Sequence, residues 1–116
     1  MCLIVFSVQQ HPAFPLVVAA NRDEFFRRPT AAMDWWHSET AGRNILAGRD
    51  LLSGGTWLAV DEDGGVAAVT NVREGSQVPG AHSRGELPLM ALAENRNALA
   101  ARLQTRKNDY SGFNLV

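Results

Sequence analysis

The chain has 116 residues, with 11 Lys or Arg residues against 12 Asp or Glu residues, so its formal net charge is −1. This balance argues against a dedicated nucleic-acid-binding protein, which normally carries a basic surplus. Hydrophobic residues make up 46% of the chain, enough for a packed core, but no apolar run reaches the roughly 18 residues of a membrane-spanning helix. We therefore expect a globular protein without a membrane span and without a nucleic-acid partner.

The chain contains a single cysteine, Cys2, next to the initiator Met1. One cysteine excludes an internal disulfide framework and a multi-cysteine metal site, and we expect no metal. The first Lys or Arg is Arg22, and prolines interrupt the early apolar stretch, so the secretory signal pattern is absent. These features predict a cytoplasmic protein with a reduced thiol.

The first two predicted elements are strands over residues 2–8 and 16–20, both rich in β-branched residues. The segment 9–15 between them contains two prolines and is typical of a turn. We predict an antiparallel pair that is buried on at least one face.

The middle of the chain mixes aromatic and polar residues without a clear period. We predict a long loop with one helical turn over residues 25–43 and a short strand over residues 44–48. Strands over 56–60 and 66–70 flank an Asp- and Gly-rich segment at 61–65, which is a strong hairpin signal. Residues 74–82 are predicted to form another loop.

Predicted helices come late in the chain. Ser83 and Glu86 have the spacing of a capping box, and apolar residues predict a helix from 87 to 92 and a second helix, or a continuation, over 98–103. Residues 113–116 look like the opening of another strand, so we expect this chain to be the N-terminal part of a longer protein. Strands followed by helices predict an α+β fold.

Cys2 is the first candidate for chemistry. If Met1 is removed, Cys2 carries both a thiol and a free α-amine, and the amine can act as the base for the thiol, as in N-terminal nucleophiles. The alternative is that Cys2 is simply a small apolar residue near a terminus.

The polar run at residues 21–24 directly follows the second strand. If the two strands pair, Asp23 or Arg22 can reach Cys2, where a carboxylate would hold the terminal ammonium and a guanidinium would lower the pKa of the thiol. The alternative is a solvated strand end.

Three further features are weaker signals. Asn71 follows a predicted strand and can donate its carboxamide N–H to an oxyanion, although a turn role is more common for Asn. Arg49 and Asp50, followed by Gly54 and Gly55, suit either a ligand-contacting backbone or a hairpin turn with an Arg–Asp pair, which we favour. The three histidines are scattered over predicted loops, and a single one can ligate haem iron, although surface positions are more usual.

Seven motifs occur in order along the chain: MCLI (1–4), NRDE (21–24) with RP (28–29), AGRD (47–50), GGTW (54–57), VTNVR (69–73), SRGE (83–86) and GFNL (112–115). In this order they resemble the NRDE family, also called the transport and Golgi organisation protein two family. The resemblance covers essentially the whole chain. It implies an N-terminal-nucleophile-hydrolase-like αββα sandwich, of which residues 1–116 would be only the N-terminal half of a single domain. A Leu-Ser-Asn motif of the family's second half is absent from this chain.

A more distant similarity is to the cysteine-type acylases that cleave bile-salt amides and penicillin V. It implies that Cys2 is the nucleophile, that Asp23 orients the terminal amine and that Asn71 is an oxyanion donor, with Asn21 matching the Asn of the acylase motif. The acylase Arg precedes that Asn, whereas here Ala20 precedes it and Arg22 follows. Ligand-binding roles are predicted for Arg49, Trp57 and Arg84, which lie in the AGRD, GGTW and SRGE motifs.

Two functions follow from the resemblance. The first is a cysteine amidohydrolase acting on a small amide substrate after Met1 removal, with no cofactor required. The alternative is a non-catalytic binding or transport protein for an apolar small-molecule ligand, either haem or an acyl-CoA or lipid, with four aromatic side chains lining the entrance: Phe25, Phe26, Trp35 and Trp36. A third reading treats these residues only as a folding unit.

Overall fold

The computed structural model describes residues 1–72 and 80–116. Its elements in chain order are β1 (Leu3–Val8), β2 (Leu16–Asn21), β3 (Thr30–Ser38), β4 (Arg43–Asp50), β5 (Leu58–Asp61), β6 (Val66–Asn71), a 3₁₀ turn (Arg84–Glu86), α1 (Leu87–Ala93), α2 (Arg96–Thr105) and β7 (Phe113–Leu115). The fold is α+β, with antiparallel sheets and two short helices. The predicted loop at 74–82 and the end of the VTNVR motif lie largely outside the described residues.

Strands β1 and β2 form an antiparallel hairpin in which Leu3 pairs with Asn21 and Val8 pairs with Leu16. The pairing confirms the predicted hairpin. The predicted burial is wrong, because apolar side chains are exposed on both faces, including Val5 at 53% on one face and Phe6 at 41% on the other.

The second sheet has five strands in the order β3-β4-β5-β6-β7. Strand β3 replaces the loop predicted over residues 25–43, and this is the main correction to the predicted elements. Its pairing with β4 shifts register between Ala31 and Asp34, a bulge that breaks the two-residue period by which a strand is recognised.

Strands β5 and β6 form the predicted hairpin. Asp61 at its turn accepts hydrogen bonds from the backbone N–H groups of Asp63 at 3.0 Å and Gly65 at 2.7 Å. Gly64 adopts a φ of +85°, which a residue with a side chain rarely adopts. Strand β7 pairs with β6 inside this chain, so the strand predicted at the chain end has its partner here.

Helices α1 and α2 are separate elements. Ser83 is the N-cap of the 3₁₀ turn, and its Oγ accepts from the backbone N–H of Gly85 at 3.2 Å. The reciprocal half of the predicted capping box is wrong, because the Glu86 carboxylate instead accepts a hydrogen bond from the hydroxyl of Tyr110. Asn95 caps α2 by accepting from the backbone N–H of Ala98 at 2.9 Å.

Helix α1 packs on the five-stranded sheet and closes its core. Two clusters of buried side chains form there: Ala41, Ile45, Ala47, Ala59 and Leu89 in one, and Val69, Leu87, Met90, Leu99 and Tyr110 in the other. Within the described residues, no helix has the length and apolar character needed to cross a membrane.

Candidate functional site

Asn21 fastens the start of β1 to the end of β2. Its Oδ1 accepts the backbone N–H of Leu3 at 2.8 Å, and its Nδ2 donates to the carbonyl of Met1 at 2.9 Å. A single side chain therefore satisfies backbone groups on both sides of Cys2, and it sets the thiol beside the residues that follow β2.

Cys2 and Asp23 are in direct contact. The backbone N–H of Asp23 donates to Sγ of Cys2 at 3.4 Å, and the Asp23 carboxylate binds the terminal ammonium of Met1. In a chain that retains Met1, the α-amine belongs to Met1 and Cys2 has only an amide nitrogen. Removal of Met1 moves the amine onto the residue that carries the thiol.

Arg22 faces away from the thiol, toward the five-stranded sheet. Its Nη2 lies 2.9 Å from Oδ2 of Asp50, and its guanidinium lies 4.5 Å from the ring centroid of Trp57. Of the two residues expected near Cys2, Asp23 therefore makes the contact, while Arg22 joins the hairpin to the sheet.

Asp50, at the end of β4, collects four hydrogen bonds. Its Oδ2 accepts from Arg22 and from Nε of Arg28 at 2.6 Å, and its Oδ1 accepts from the backbone N–H groups of Leu52 and Ser53 at 3.0 and 3.1 Å. Burial alone would raise the pKa of Asp50, but the hydrogen bonds from Arg28, Ser53 and Leu52 together lower it.

The network around Asp50 was missed in the sequence. The Arg49–Asp50 pair predicted from the sequence is wrong, because neighbouring strand residues point to opposite faces. Asp50 instead binds Arg22 and Arg28. The available signal was an Asp at a strand end followed by a turn that closes at Gly54.

Arg49 lies on the other face of β4. Its guanidinium is 4.6 Å from the ring centroid of Trp36, and it is absent from the described lining of the cleft that the other predicted residues share. Of the four aromatic residues predicted to line an entrance, Phe25 alone belongs to that described lining.

Glycines bring Trp57 and Arg84 to the cleft. A Cβ on Gly48 would lie 2.7 Å from the Trp57 ring, so the ring packs directly over the backbone of β4. A Cβ on Gly55 would overlap the backbone of Gly85, whose carbonyl accepts the N–H of Thr56 at 2.9 Å. Gly55 therefore permits backbone-to-backbone approach between the β4–β5 connection and the turn that carries Arg84.

Asn71 is the last residue of β6 and pairs with Phe113 of β7. Its carboxamide is exposed and has no hydrogen-bond partner among the described residues. It is available to a bound molecule.

A cleft of about 1110 Å³ lies between the hairpin and the sheet. Seven of the eight predicted site residues line it: Cys2, Asn21, Arg22, Asp23, Trp57, Asn71 and Arg84. Arg28, Asp50 and His82, which were not predicted, also line it. The cleft combines a thiol, a carboxylate bound to a terminal amine, an available carboxamide and several guanidinium groups.

Metal binding has no support in the described part of the chain, where no three or more His, Cys, Asp or Glu side chains are grouped to hold an ion.

Comparison with known proteins gives one consistent result. A family model described as Transport and Golgi organisation 2 matches residues 1–116. The chain is 36% identical to the Transport and Golgi organization 2 homolog of Mus musculus, over all of this chain and 44% of the relative. It is also 36% identical to the Transport and Golgi organization protein 2 homolog of Bos taurus, over the same shares.

The human homolog is 35% identical over the same shares of the two chains. The chain thus spans less than half the length of these relatives. Because the family model covers every residue, the chain belongs to the Transport and Golgi organisation 2 family, which confirms the family resemblance noted in its motifs.

Proposed function

We propose that the cleft is the active site of a cysteine amidohydrolase that acts on a small amide once Met1 has been removed. The observation that carries this proposal is the double contact of Asp23, whose N–H donates to Sγ of Cys2 and whose carboxylate binds the chain's terminal ammonium. A nucleophile, a base and a group that orients the base are the parts that N-terminal-nucleophile catalysis needs.

In the proposed reaction, the Cys2 α-amine accepts the thiol proton and the thiolate attacks the amide carbonyl carbon. The tetrahedral intermediate collapses as the ammonium returns the proton to the leaving nitrogen, which releases an amine and leaves a thioester on Cys2. Water, deprotonated by the same amine, attacks the thioester and releases a carboxylic acid and the free thiol.

Asn71 would stabilise the oxyanion in this reaction. Its exposed carboxamide lies at the end of β6, in the lining of the same cleft, and has its two N–H donors available. A donor of this kind contributes on the order of 10²- to 10³-fold to turnover.

We also propose that residues 1–116 are the N-terminal part of one αββα domain of the N-terminal-nucleophile type, in a cytoplasmic protein. The apolar side chains exposed on both faces of the β1–β2 hairpin support this, since a lone two-stranded hairpin is marginally stable and needs a covering layer. The relatives' greater length supports it as well.

The test is acylation of Cys2 in the complete protein. Intact-mass measurement would first separate Met-processed from Met-retaining chains. An activated-amide or acyl probe should then add one acyl group to Cys2 in processed chains and leave Met-retaining chains unlabelled. Full amide hydrolysis by Cys2→Ala, or equal labelling of both chain forms, would contradict the proposal.

A second candidate is binding of an apolar ligand such as haem or the acyl chain of a lipid or acyl-CoA. It is favoured by Phe25, which is 73% exposed and lines the cleft. For haem, His82 is the histidine in the cleft lining and would supply an axial ligand, although its ring also lies 3.6 Å from the Glu86 carboxylate. Haem titration should give a saturable Soret shift that His82→Ala reduces, and its absence at micromolar haem would exclude haem as the ligand.

A further inference from the structure

The charges in the cleft are largely paired with one another. Asp23 binds the terminal ammonium, and Asp50 binds both Arg22 and Arg28. The Glu24 carboxylate lies 3.7 Å from each of the same two guanidinium groups. The charges of Arg22 and Arg28 are therefore paired with carboxylates of the protein.

Arg84 differs from these arginines. Its Nη1 donates to the carbonyl of Gly112 at 3.0 Å, and it forms no ion pair with a carboxylate in the part of the chain that the structure describes. The residue is half-buried and lines the cleft. One of its five N–H donors is used, so a positive charge and several donors face a partly desolvated space.

The position of Arg84 relative to the Cys2 thiol is fixed by a series of contacts between neighbouring segments of the cleft lining. Asp23 contacts Cys2, Arg22 stacks on Trp57, and Thr56 hydrogen-bonds to Gly85, which follows Arg84. Backbone-to-backbone packing between Gly55 and Gly85 holds this turn against the sheet.

We propose that Arg84 binds an oxyanion group of the substrate, a carboxylate or a phosphate, while Cys2 attacks the amide of the same molecule. The inference rests on the proposed function for the attack, but the anion site itself does not require catalysis. A guanidinium fork suits either anion because both offer two oxygens to parallel N–H donors. The substrate class is thus an amide that carries a carboxylate or phosphate at a distance from the scissile bond.

The test uses alkylation of Cys2, which needs the thiol but no turnover. Iodoacetate is an anion and iodoacetamide is its neutral counterpart, so the ratio of their alkylation rates reports the attraction of anions into the cleft. In the complete protein at low ionic strength, Arg84→Gln should lower this ratio about 3- to 10-fold. Arg84→Lys, which keeps the charge, should retain most of it.

Arg49→Gln is the matched control, because the Arg49 guanidinium lies over the Trp36 ring and not in the described lining of the cleft. The ratio of iodoacetate to iodoacetamide alkylation rates in Arg49→Gln should equal that of the unmodified protein. An equal ratio in Arg84→Gln and Arg49→Gln would overturn the proposal. If Arg84→Gln fails to fold, the proposal is decided by the alkylation ratio of Arg84→Lys and by competition of phosphate and succinate with iodoacetate.

Competition distinguishes the two anions in the unmodified protein. Inorganic phosphate and succinate would each be titrated against iodoacetate alkylation at constant ionic strength. Slowing by phosphate alone indicates a phosphate-bearing substrate, slowing by succinate alone a carboxylate-bearing one, and slowing by both a site open to either. If neither slows alkylation, the proposal is wrong. If the unmodified protein hydrolyses no amide but anions still slow alkylation of Cys2, the proposed function is wrong and the anion site at Arg84 stands.

Discussion

Asp23 donates its backbone N–H to Sγ of Cys2, and its carboxylate binds the chain's terminal ammonium, which belongs to Met1 here and would belong to Cys2 after removal of Met1. The backbone part of this arrangement survives substitution of the side chain. The two contributions can therefore be separated by experiment.

We expect Asp23→Asn to lower turnover of the processed protein by about 10²-fold, because the amide cannot hold the ammonium as a carboxylate does. The N–H donor to Cys2 remains, so the alkylation rate of the thiol by a neutral reagent should change less than turnover. Steady-state hydrolysis and iodoacetamide kinetics measure the two effects.

Asp63→Asn is the matched control for Asp23→Asn, since the Asp63 side chain is 88% exposed and lies 3.4 Å from Arg43. We expect it to leave turnover unchanged. Equal turnover in Asp23→Asn and the unmodified protein would remove Asp23 from the mechanism.

Asp50 is the main polar link between the hairpin and the sheet. Its side chain is 8% exposed and binds Arg22 and Arg28, so Asp50→Ala leaves two guanidinium groups and two backbone N–H groups without their acceptor. We expect a loss of about 2 to 4 kcal/mol in the free energy of unfolding. Urea unfolding followed by Trp fluorescence measures it, and a loss no larger than that of Asp63→Ala would contradict the assignment.

The Asp50 carboxyl group also makes the free energy of unfolding depend on pH. The pKa of Asp50 is lowered in the folded protein, so its charged form adds stability above the unfolded value of about 3.9, and this stability is lost as the pH falls toward the folded value. The difference in unfolding free energy between the unmodified protein and Asp50→Asn should therefore be constant near neutral pH and shrink below about pH 4. A difference that stays constant on acidification would show that Asp50 does not titrate in this range.

Proximity of the NRDE segment to Cys2 could be predicted from sequence because the two strands are adjacent in the chain. A short antiparallel hairpin places the residue after its second strand opposite the start of its first, and Leu3 does pair with Asn21. Asn71 was indicated by its place after a predicted strand and by the acylase similarity, and Trp57 and Arg84 lie in the family motifs. These residues come from separate strands and turns, and no local pattern joins them.

Other parts of the fold were beyond local reasoning. Strand β3 was missed because the bulge after Ala31 shifts the side chains that follow to the other face. The partners of Asp50 were missed because they are 22 and 28 residues away in the chain. Burial of the hairpin was predicted from its composition, but apolar composition shows only that a strand requires cover.

Asn21 should control the local stability of the β1–β2 hairpin. Asn21→Ala removes the acceptor for Leu3 N–H and the donor to the Met1 carbonyl, so we expect the hairpin to lose about 1 to 2 kcal/mol against local opening. Hydrogen exchange at the Leu3 amide should accelerate about 5- to 30-fold.

Asn114→Ala is the control for Asn21→Ala, since the Asn114 side chain donates to Thr70 Oγ1 in the other sheet and has no other partner among residues 1–72 and 80–116. It should leave exchange at Leu3 unchanged. Unchanged exchange in Asn21→Ala would mean that the strand ladder alone fixes the start of β1.

Tyr110 makes the stability of the protein depend on pH in the alkaline range. It is the single tyrosine of the sequence, it is buried, and its hydroxyl donates to the Glu86 carboxylate. Burial, reinforced by that hydrogen bond and by the negative charge of Glu86, raises the pKa of Tyr110.

Because the pKa of Tyr110 is raised in the folded protein, its stabilising contribution is complete below the unfolded value of about 10 and is lost as the pH rises through the folded value. The folded protein should therefore show no tyrosinate absorbance at a pH where the urea-unfolded chain is half ionised, and Tyr110→Phe should lose less stability than the unmodified protein above about pH 10. Ionisation of Tyr110 near pH 10 in the folded protein would contradict the assignment, since an exposed tyrosine titrates there.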